Sequence, residues 1–469
     1  MGPPIGAPVS PLTRVPVEAM RAPVSRGETR PLAWRLQQLE RLGAFLEAVR
    51  EEMAAALEAD LGKPTVEASF EWIAVHQELR LARRRLRRWL RPRRVPLPAW
   101  TLPGRAELRA EPLGCVLILA PWNYPFSLCL QPLVSALAAG NAAVLKPSEH
   151  APATAALMAR RLREHFPAEV LEVVQGDGEV AAQLLEQRFD HIFFTGGGRV
   201  GRLVMAAAAR HLTPVTLELG GKSPAIVLPG ADPDITARRL CWGKGINAGQ
   251  TCVAPDHLLL APGVGDLLMP QLAAAIRGFY GEEPLRSPDL GRIVNIAAYE
   301  RLETLLSEAR RSGRVLLGGA SDPQRRRIEP TVIRVKDPER DPLMQEELFG
   351  PLLPVVEVAG LEEALERIRR GPSPLAIYLF GGDAAARRRV LESTSSGSVV
   401  FNDVILQAGI AQLPFGGVGA SGMGSYHGET GFRTFSHIRP VVHRSLWPDL
   451  PFRYPPYAGK RRLLERLLD

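Results

Sequence analysis

Gly114-Cys115-Val116-Leu117-Ile118-Leu119-Ala120 is an uninterrupted apolar run, closed by the turn Pro121-Trp122-Asn123-Tyr124-Pro125. A strand with one face in water alternates apolar and polar residues, whereas a strand covered by helices on both faces reads as this run does. The turn opens a helix through Leu137 that Gly140-Asn141 closes, and residues 142–145 form a second strand ending on Lys146-Pro147-Ser148-Glu149. A helix over 151–165, a strand at 170–174, a helix over 179–186 and a strand at 191–195 continue the alternation. Repeated strand–helix units predict an α/β fold built on a doubly wound parallel sheet with right-handed crossovers. Ligands bind such sheets beyond the carboxyl ends of the strands, where Asn123, Lys146 and Gly196 fall.

Upstream, residues 1–27 are rich in Pro, Gly and Ala and read as a flexible leader, without the apolar core of a signal peptide. Leu36, Leu39, Leu42, Phe45, Leu46, Val49, Met53 and Leu57 recur at helical spacing and predict a helix over 35–60, stopped by Gly62-Lys63-Pro64. A second helix over 65–90 ends on Arg83, Arg84, Arg85, Arg87, Arg88 and Arg91, which read as a solvated face. Residues 92–103 form a proline-broken connector. Downstream of Pro214 a second set of strand–helix units begins, with strands at 225–228, 257–260 and 315–318 and helices over 235–245, 267–279, 299–312 and 361–370. From Ala411 the chain is rich in glycine and aromatic residues, and no internal repeat is visible.

At 469 residues, 46% of them hydrophobic and 23% charged, the chain has the material for two or three domains of a soluble globular protein. The net charge of +8 is spread over helices without an aromatic-interleaved basic module, which argues against a nucleic-acid binder. Cys115, Cys129, Cys241 and Cys252 lie far apart with no metal-type pairing, so no metal site is expected and free thiols in a reducing compartment are. No stretch has the length of a membrane span, and a cytoplasmic protein is expected.

Two stretches carry chemistry on residue type alone. Gly196-Gly197-Gly198-Arg199-Val200-Gly201 follows a strand and opens a helix, the setting in which backbone N–H groups and a helix N-terminus receive a pyrophosphate. A tight glycine turn is the plainer reading. Glu218 stands where a ribose-binding acid would be sought, yet its apolar neighbours in Val215-Thr216-Leu217-Glu218-Leu219 would desolvate it and suit it to general-base work. Lys146 and Glu149 are the better ribose partners. Asn247-Ala248-Gly249-Gln250-Thr251-Cys252 sets a lone cysteine among small and polar residues. A free thiol is only a few per cent ionised at neutral pH, so Cys252 is either a small buried hydrophobe or a nucleophile helped by groups elsewhere in the chain.

Pro121-Trp122-Asn123-Tyr124-Pro125, Lys146-Pro147-Ser148-Glu149, Leu217-Glu218-Leu219-Gly220-Gly221-Lys222-Ser223-Pro224, Gly249-Gln250-Thr251-Cys252 and Glu346-Glu347-Leu348-Phe349-Gly350-Pro351 occur in the order found in aldehyde dehydrogenases. The resemblance runs from about residue 32 to 456. The Trp-Asn-Tyr-Pro form and Ser425-Tyr426-His427-Gly428 resemble the class 3 branch, which acts on fatty and aromatic aldehydes. It implies a Rossmann-type cofactor domain (28–217, with a bridging hairpin at about 102–112), an α/β catalytic domain (218–408), a small β bridging and oligomerisation segment (409–445), a tail (446–469) and a homodimer. It implies NAD(P)-dependent oxidation of medium- or long-chain aliphatic or aromatic aldehydes to carboxylic acids. In that scheme Cys252 attacks the aldehyde carbon, Asn123 and the Cys252 N–H hold the oxyanion, and Glu218 activates the water that hydrolyses the thioester.

For the cofactor, the resemblance assigns Gly196, Gly197 and Gly201 to the pyrophosphate, Lys146 and Glu149 to the adenosine ribose, and Glu347 with Phe349 to the nicotinamide ribose. Singly, each has a plainer role: Asn123 as a helix cap, Glu347 as a surface charge, Phe349 as core, Lys146 as a strand-end lysine. Gly197 stands where the family usually carries Ser or another polar residue. Glu149 would repel the extra phosphate of NADP, yet class 3 enzymes use both cofactors, so NAD and NADP stay open. A CoA-acylating dehydrogenase needs no hydrolytic base, and a silent binding protein needs no Cys252. The basic segment from Lys460 to Asp469 is expected to pack on the protein body, with peripheral membrane contact as the lesser alternative.

Overall fold

Strand order explains where a ligand can enter. The computed structural model describes residues 15–98, 101–449 and 451–460. Its six-stranded sheet runs Gly422–Met423, Val215–Leu219, His191–Gly196, Cys115–Leu119, Ala142–Lys146, Leu171–Val173, parallel throughout except for the first pair. From Cys115–Leu119 the chain winds outward one way through Ala142–Lys146 and then restarts on the other side at His191–Gly196. Between those two neighbours the crossover loops diverge, which opens a crevice at the carboxyl ends. The turn with Asn123 and the glycine loop after Thr195 flank it. Every residue of Cys115–Leu119 and of Ala142–Lys146 is buried, as a strand sandwiched between helices requires.

A second, seven-stranded sheet runs Val315–Leu317, Thr331–Arg334, Leu352–Glu357, His257–Leu260, Pro224–Val227, Ala376–Phe380, Ser398–Phe401. Cys252 lies on the approach to His257–Leu260, near the middle of that sheet. A third, three-stranded sheet pairs Gly104–Pro112 with Arg93–Val95 on one side and with Ser436–Arg444 on the other. The stretch expected as a hairpin at 102–112 is one long strand, the second arm of an antiparallel pair whose first arm is Arg93–Val95. Its principal partner comes from the far end of the chain, a pairing no local turn signal announces.

Three further differences have local causes. The helix expected over 35–60 is two, Leu32–Ala48 and Arg50–Leu61, broken at Val49 (φ −110°, ψ 5°). Because the apolar spacing continues through the break, periodicity alone does not reveal it. A helix, Val17–Ser25, lies inside the stretch read as a flexible leader. Its buried Val17, Met20 and Val24 pack on Cys115, Leu117 and Val144, and Arg21 bonds Asp190 at 2.7 Å. Pro23 does not prevent this helix. Residues 1–14 and the tail beyond 460 lie outside the described residues. The arginines at 83–85, 87, 88 and 91 are exposed, a solvated face. Among the described residues no helix is long and apolar enough to cross a membrane.

Asn141 locks these parts together. Left-handed Gly140 (φ 89°) ends the helix Ser127–Ala139 and turns Asn141 inward, where it has no exposed surface. Its Oδ1 accepts from Leu113 N at 2.7 Å and Gly114 N at 3.0 Å, and its Nδ2 donates to Phe435 O at 2.8 Å and Ala136 O at 3.3 Å. Asn141→Ala takes the side-chain partner from Leu113 N, Gly114 N and Phe435 O, while Ala136 O keeps the Asn141 N–H, and is expected to destabilise the fold by about 3 kcal/mol. Thermal or urea unfolding would register this, and a loss of only a few tenths of a kcal/mol would show that water replaces the side chain.

Candidate active site

Asn123 is placed by its backbone rather than as a helix cap. The helix Ser127–Ala139 has no side-chain cap of its own. Instead Glu71, reaching over from the helix Thr65–Trp89, accepts from Phe126 N at 3.0 Å and Ser127 N at 2.9 Å with one oxygen. Its other oxygen bonds Lys63 Nζ at 2.6 Å in an ion pair with no exposed side-chain surface. Lys63 Nζ also donates to Asn123 O at 2.8 Å, and Asn247 Nδ2 donates to the same carbonyl at 2.8 Å. The Asn123 side chain is thus released from capping. It donates to Gln250 O at 3.1 Å, which aims its amide at the loop that carries Cys252.

That loop is unusual in its backbone. Asn247 and Ala248 are left-handed at φ 51° and 52°, a conformation that non-glycine residues adopt under constraint. Asn247 N donates to Glu67 at 2.9 Å, and Gln250 is pinned through Asn247 O, Arg292 O and Val294 N. A Cβ on Gly249 would lie 2.3 Å from Gly350 O, so this position requires glycine for the loop to close on the Glu346–Pro351 stretch. Thr251 Oγ1 lies 2.7 Å from Tyr124 OH, and Ala254 N donates to Thr251 O at 2.9 Å to close a tight turn around Cys252. Cys252 is half-buried, while Cys115, Cys129 and Cys241 are buried.

Glu218 sits near the end of Val215–Leu219, paired in register with Thr195 and covered on its open side by Gly422. It is 1% exposed, and neither carboxyl oxygen meets a hydrogen-bond partner among the described residues. Burial, then the charge of Glu347, pushes its carboxyl up to about 8. Glu347 is pushed up to about 8 as well, by burial first and then Asp256. It nests against the strand end: a Cβ on Gly220 would come 2.1 Å from its Oε2. Burial and both carboxyls push the Cys252 thiol well above its usual range, while the backbone N–H groups of Cys252 and Val253 draw it down. Burial thus favours the protonated form of the thiol and of both acids.

The glycine loop divides its work. A Cβ on Gly196 would meet the Phe194 ring at 2.6 Å, and one on Gly201 would meet Leu219 at 2.9 Å, so both serve close packing. A Cβ on Gly197 would meet nothing within 4 Å. Gly197 and Gly198 thus leave open space at the N-terminus of the helix Gly198–Ala209. Lys146 Nζ bonds Glu149 at 2.9 Å at the end of its strand. Phe349, at φ 50°, stands edge-on to Trp122 with centroids 5.3 Å apart.

The family profile described as "Aldehyde dehydrogenase family" matches residues 15–441. The chain belongs to the aldehyde dehydrogenase family. It is 48% identical to human aldehyde dehydrogenase family 3 member B1 over 94% of each protein, and 41% identical to the 4,4'-diaponeurosporen-aldehyde dehydrogenase of Staphylococcus aureus over 93% of this chain and 95% of that one. A solved substrate-bound structure of Staphylococcus aureus AldH superposes with a TM-score of 0.93 at 40% identity, covering 96% of this chain and 98% of that one. The protein is a class 3-like aldehyde dehydrogenase that oxidises aldehydes to carboxylic acids with NAD or NADP. The open glycine cradle, the Lys146–Glu149 pair and the buried Glu347 carboxyl beside Gly220 fit such a cofactor.

In this aldehyde dehydrogenase the structure gathers Asn123, Glu218, Cys252 and Glu347 into one region. Spacing alone did not single out Lys63, Glu71 or Asn247. Lys63-Pro64 reads as a helix stop and Glu71 as one more helical acid, and their full burial is the signal that identifies them. The carboxyl of Glu218 gives a sign that can be checked. A folded value near 8 against an ordinary 4.5 means the folded enzyme holds a proton that the unfolded chain releases, so stability falls as pH rises from about 4.5 through 8. Glu218→Gln is expected to remove that share of the loss, on the order of a few kcal/mol, and to make the fall in melting temperature between about pH 4.5 and 8 less steep, the share of Glu347 remaining. Equal pH slopes in wild type and variant would mean that the carboxyl is solvated.

Proposed function

We propose that Cys252 is the nucleophile, Asn123 the oxyanion donor and Glu218 the hydrolytic base. The observation that carries this reading is the Glu218 carboxyl. It is buried without a hydrogen-bond partner at a strand end, and its charge acts on Cys252. Cys252 gives up its thiol proton to solvent, the thiolate adds to the aldehyde carbon, and the carbonyl electron pair moves onto oxygen. Asn123 Nδ2–H and Cys252 N–H then donate to that oxyanion, each donor contributing a factor of ~10² to 10³. Bound NAD or NADP supplies an acceptor for hydride. Once the acyl group is held on Cys252 as a thioester, Glu218 in its ionised form takes a proton from water as the water oxygen bonds the acyl carbon. The C–S bond breaks, and the acid leaves. The presence of Glu218 favours water over coenzyme A as acyl acceptor.

The same reading gives the cofactor its places. Gly197 leaves the helix N-terminus open to the pyrophosphate, while Gly196 and Gly201 hold the loop close to the sheet behind it. Lys146 and Glu149 take the adenosine ribose, and Glu347 with Phe349 takes the nicotinamide ribose. The six-stranded sheet is then the cofactor domain and the seven-stranded sheet the catalytic one. Apolar substrates, medium- or long-chain aliphatic or aromatic, accord with the family 3 relatives. A homodimer is supported by two open edges, Ser398–Phe401 in the large sheet and Ser436–Arg444 in the three-stranded one, since an unpaired edge invites pairing with a second copy. The four free cysteines support residence in a reducing compartment such as the cytoplasm.

Cys252→Ser is expected to lower aldehyde-dependent NAD(P)H formation by more than ~10³ while cofactor binding persists. Retained turnover would sink the assignment. Glu218→Gln is expected to give a normal hydride burst and then stall, its steady-state rate down by about 10² or more. A full steady-state rate would remove Glu218 from the role. Light scattering on purified protein is expected to return twice the chain mass.

A further inference from the structure

Behind Cys252 lies a chain of hydrogen bonds that the reaction scheme leaves unused. Tyr378, on the strand Ala376–Phe380, has no exposed surface, and its hydroxyl donates to the carbonyl of Val253. The phenol oxygen also receives Gln407 Nε2 at 3.2 Å and Ile405 N at 3.4 Å. With its acceptor directions filled by two N–H groups, its single proton is directed at Val253. Gln407 is buried too, and its Nε2 reaches Ser398 Oγ at 3.2 Å on the neighbouring strand. Ile405 is held at φ 64°, a conformation rare for a β-branched residue.

These contacts converge on the turn that presents the sulfur. The peptide between Val253 and Ala254 is gripped at both ends. Tyr378 holds its carbonyl, and Thr251 O accepts its N–H at 2.9 Å. The N–H of Val253, on the preceding peptide, draws the Cys252 thiol down toward its usual range. If residue 253 rotates, that donor turns with it.

We propose that Tyr378 is a positioning residue for the nucleophile. By holding the Val253 carbonyl it keeps the Val253 N–H aimed at the Cys252 sulfur, and Gln407 acts through it by setting the direction of the phenol O–H. The proposal rests on Cys252 being the nucleophile. Tyr378→Phe removes one oxygen and keeps the ring packing. In the full-length enzyme, alkylation of Cys252 by iodoacetamide can be followed by mass spectrometry over about pH 6 to 10, the other three cysteines being buried.

Tyr378→Phe is expected to slow alkylation and the hydride burst by about tenfold, short of the ~100-fold cost of a displaced reacting group. The alkylation midpoint should move to higher pH, while KM for the cofactor stays unchanged. Gln407→Leu should give a smaller loss in the same direction. The double variant should be no worse than Tyr378→Phe alone, because the two residues act as one unit. A folded Tyr378→Phe with wild-type alkylation rate and midpoint overturns the proposal, as do additive losses in the double variant. Should Tyr378→Phe not fold, an unaltered alkylation profile in Gln407→Leu overturns it equally. Turnover retained by Cys252→Ser is a separate result, which removes the nucleophile itself.

Discussion

The ion pair between Lys63 and Glu71 is the interaction on which the rest of the site depends. Both side chains are fully buried, and each has a second duty: Glu71 satisfies the first N–H groups of the helix Ser127–Ala139, and Lys63 holds the carbonyl of Asn123. A buried ion pair adds little net stability over an apolar pair, but removing one partner leaves a charge stranded at a cost of about 3 to 5 kcal/mol. Its value here is geometric. It joins the first helices, the strand-end turn of one sheet and, through Asn247, the cysteine loop of the other.

Around that fixed point the site is arranged against the enzyme's own stability. Two carboxyls, Glu218 and Glu347, are buried, Glu347 raises Glu218, and both push up the Cys252 thiol. Asn247, Ala248 and Phe349 are held in left-handed backbone, and Gly220 and Gly249 leave room for contacts that any Cβ would block. Strain and buried acids of this kind persist where surrounding structure over-determines them. The surroundings here are two close-packed sheets whose central strands have no exposed surface to relax into.

How much of this was legible in the chain varies by element. The central strand 115–119 announced itself by an unbroken apolar run, and the solvated arginine face by its spacing. The helix Val17–Ser25 did not, because a proline-rich context outweighed three apolar residues that pack only once the sheet exists. The break at Val49 and the long strand Gly104–Pro112 were likewise invisible. A continuous stripe hides a kink, and a strand paired at a separation of more than three hundred residues carries no turn signal.

By itself the sequence determined the layered strand–helix order, the identity of the cysteine, the acids, the amide and the glycines, and through their order the family. Those are properties of residue type and short spacing. Only the tertiary structure decided who meets whom: that Asn123 is freed from capping because Glu71 caps in its place, that Gly197 opens to solvent while Gly196 and Gly201 pack, and that Tyr378 stands behind Cys252. Each is a contact between residues far apart in the chain, and its geometry exists only after burial has excluded water and fixed the partners.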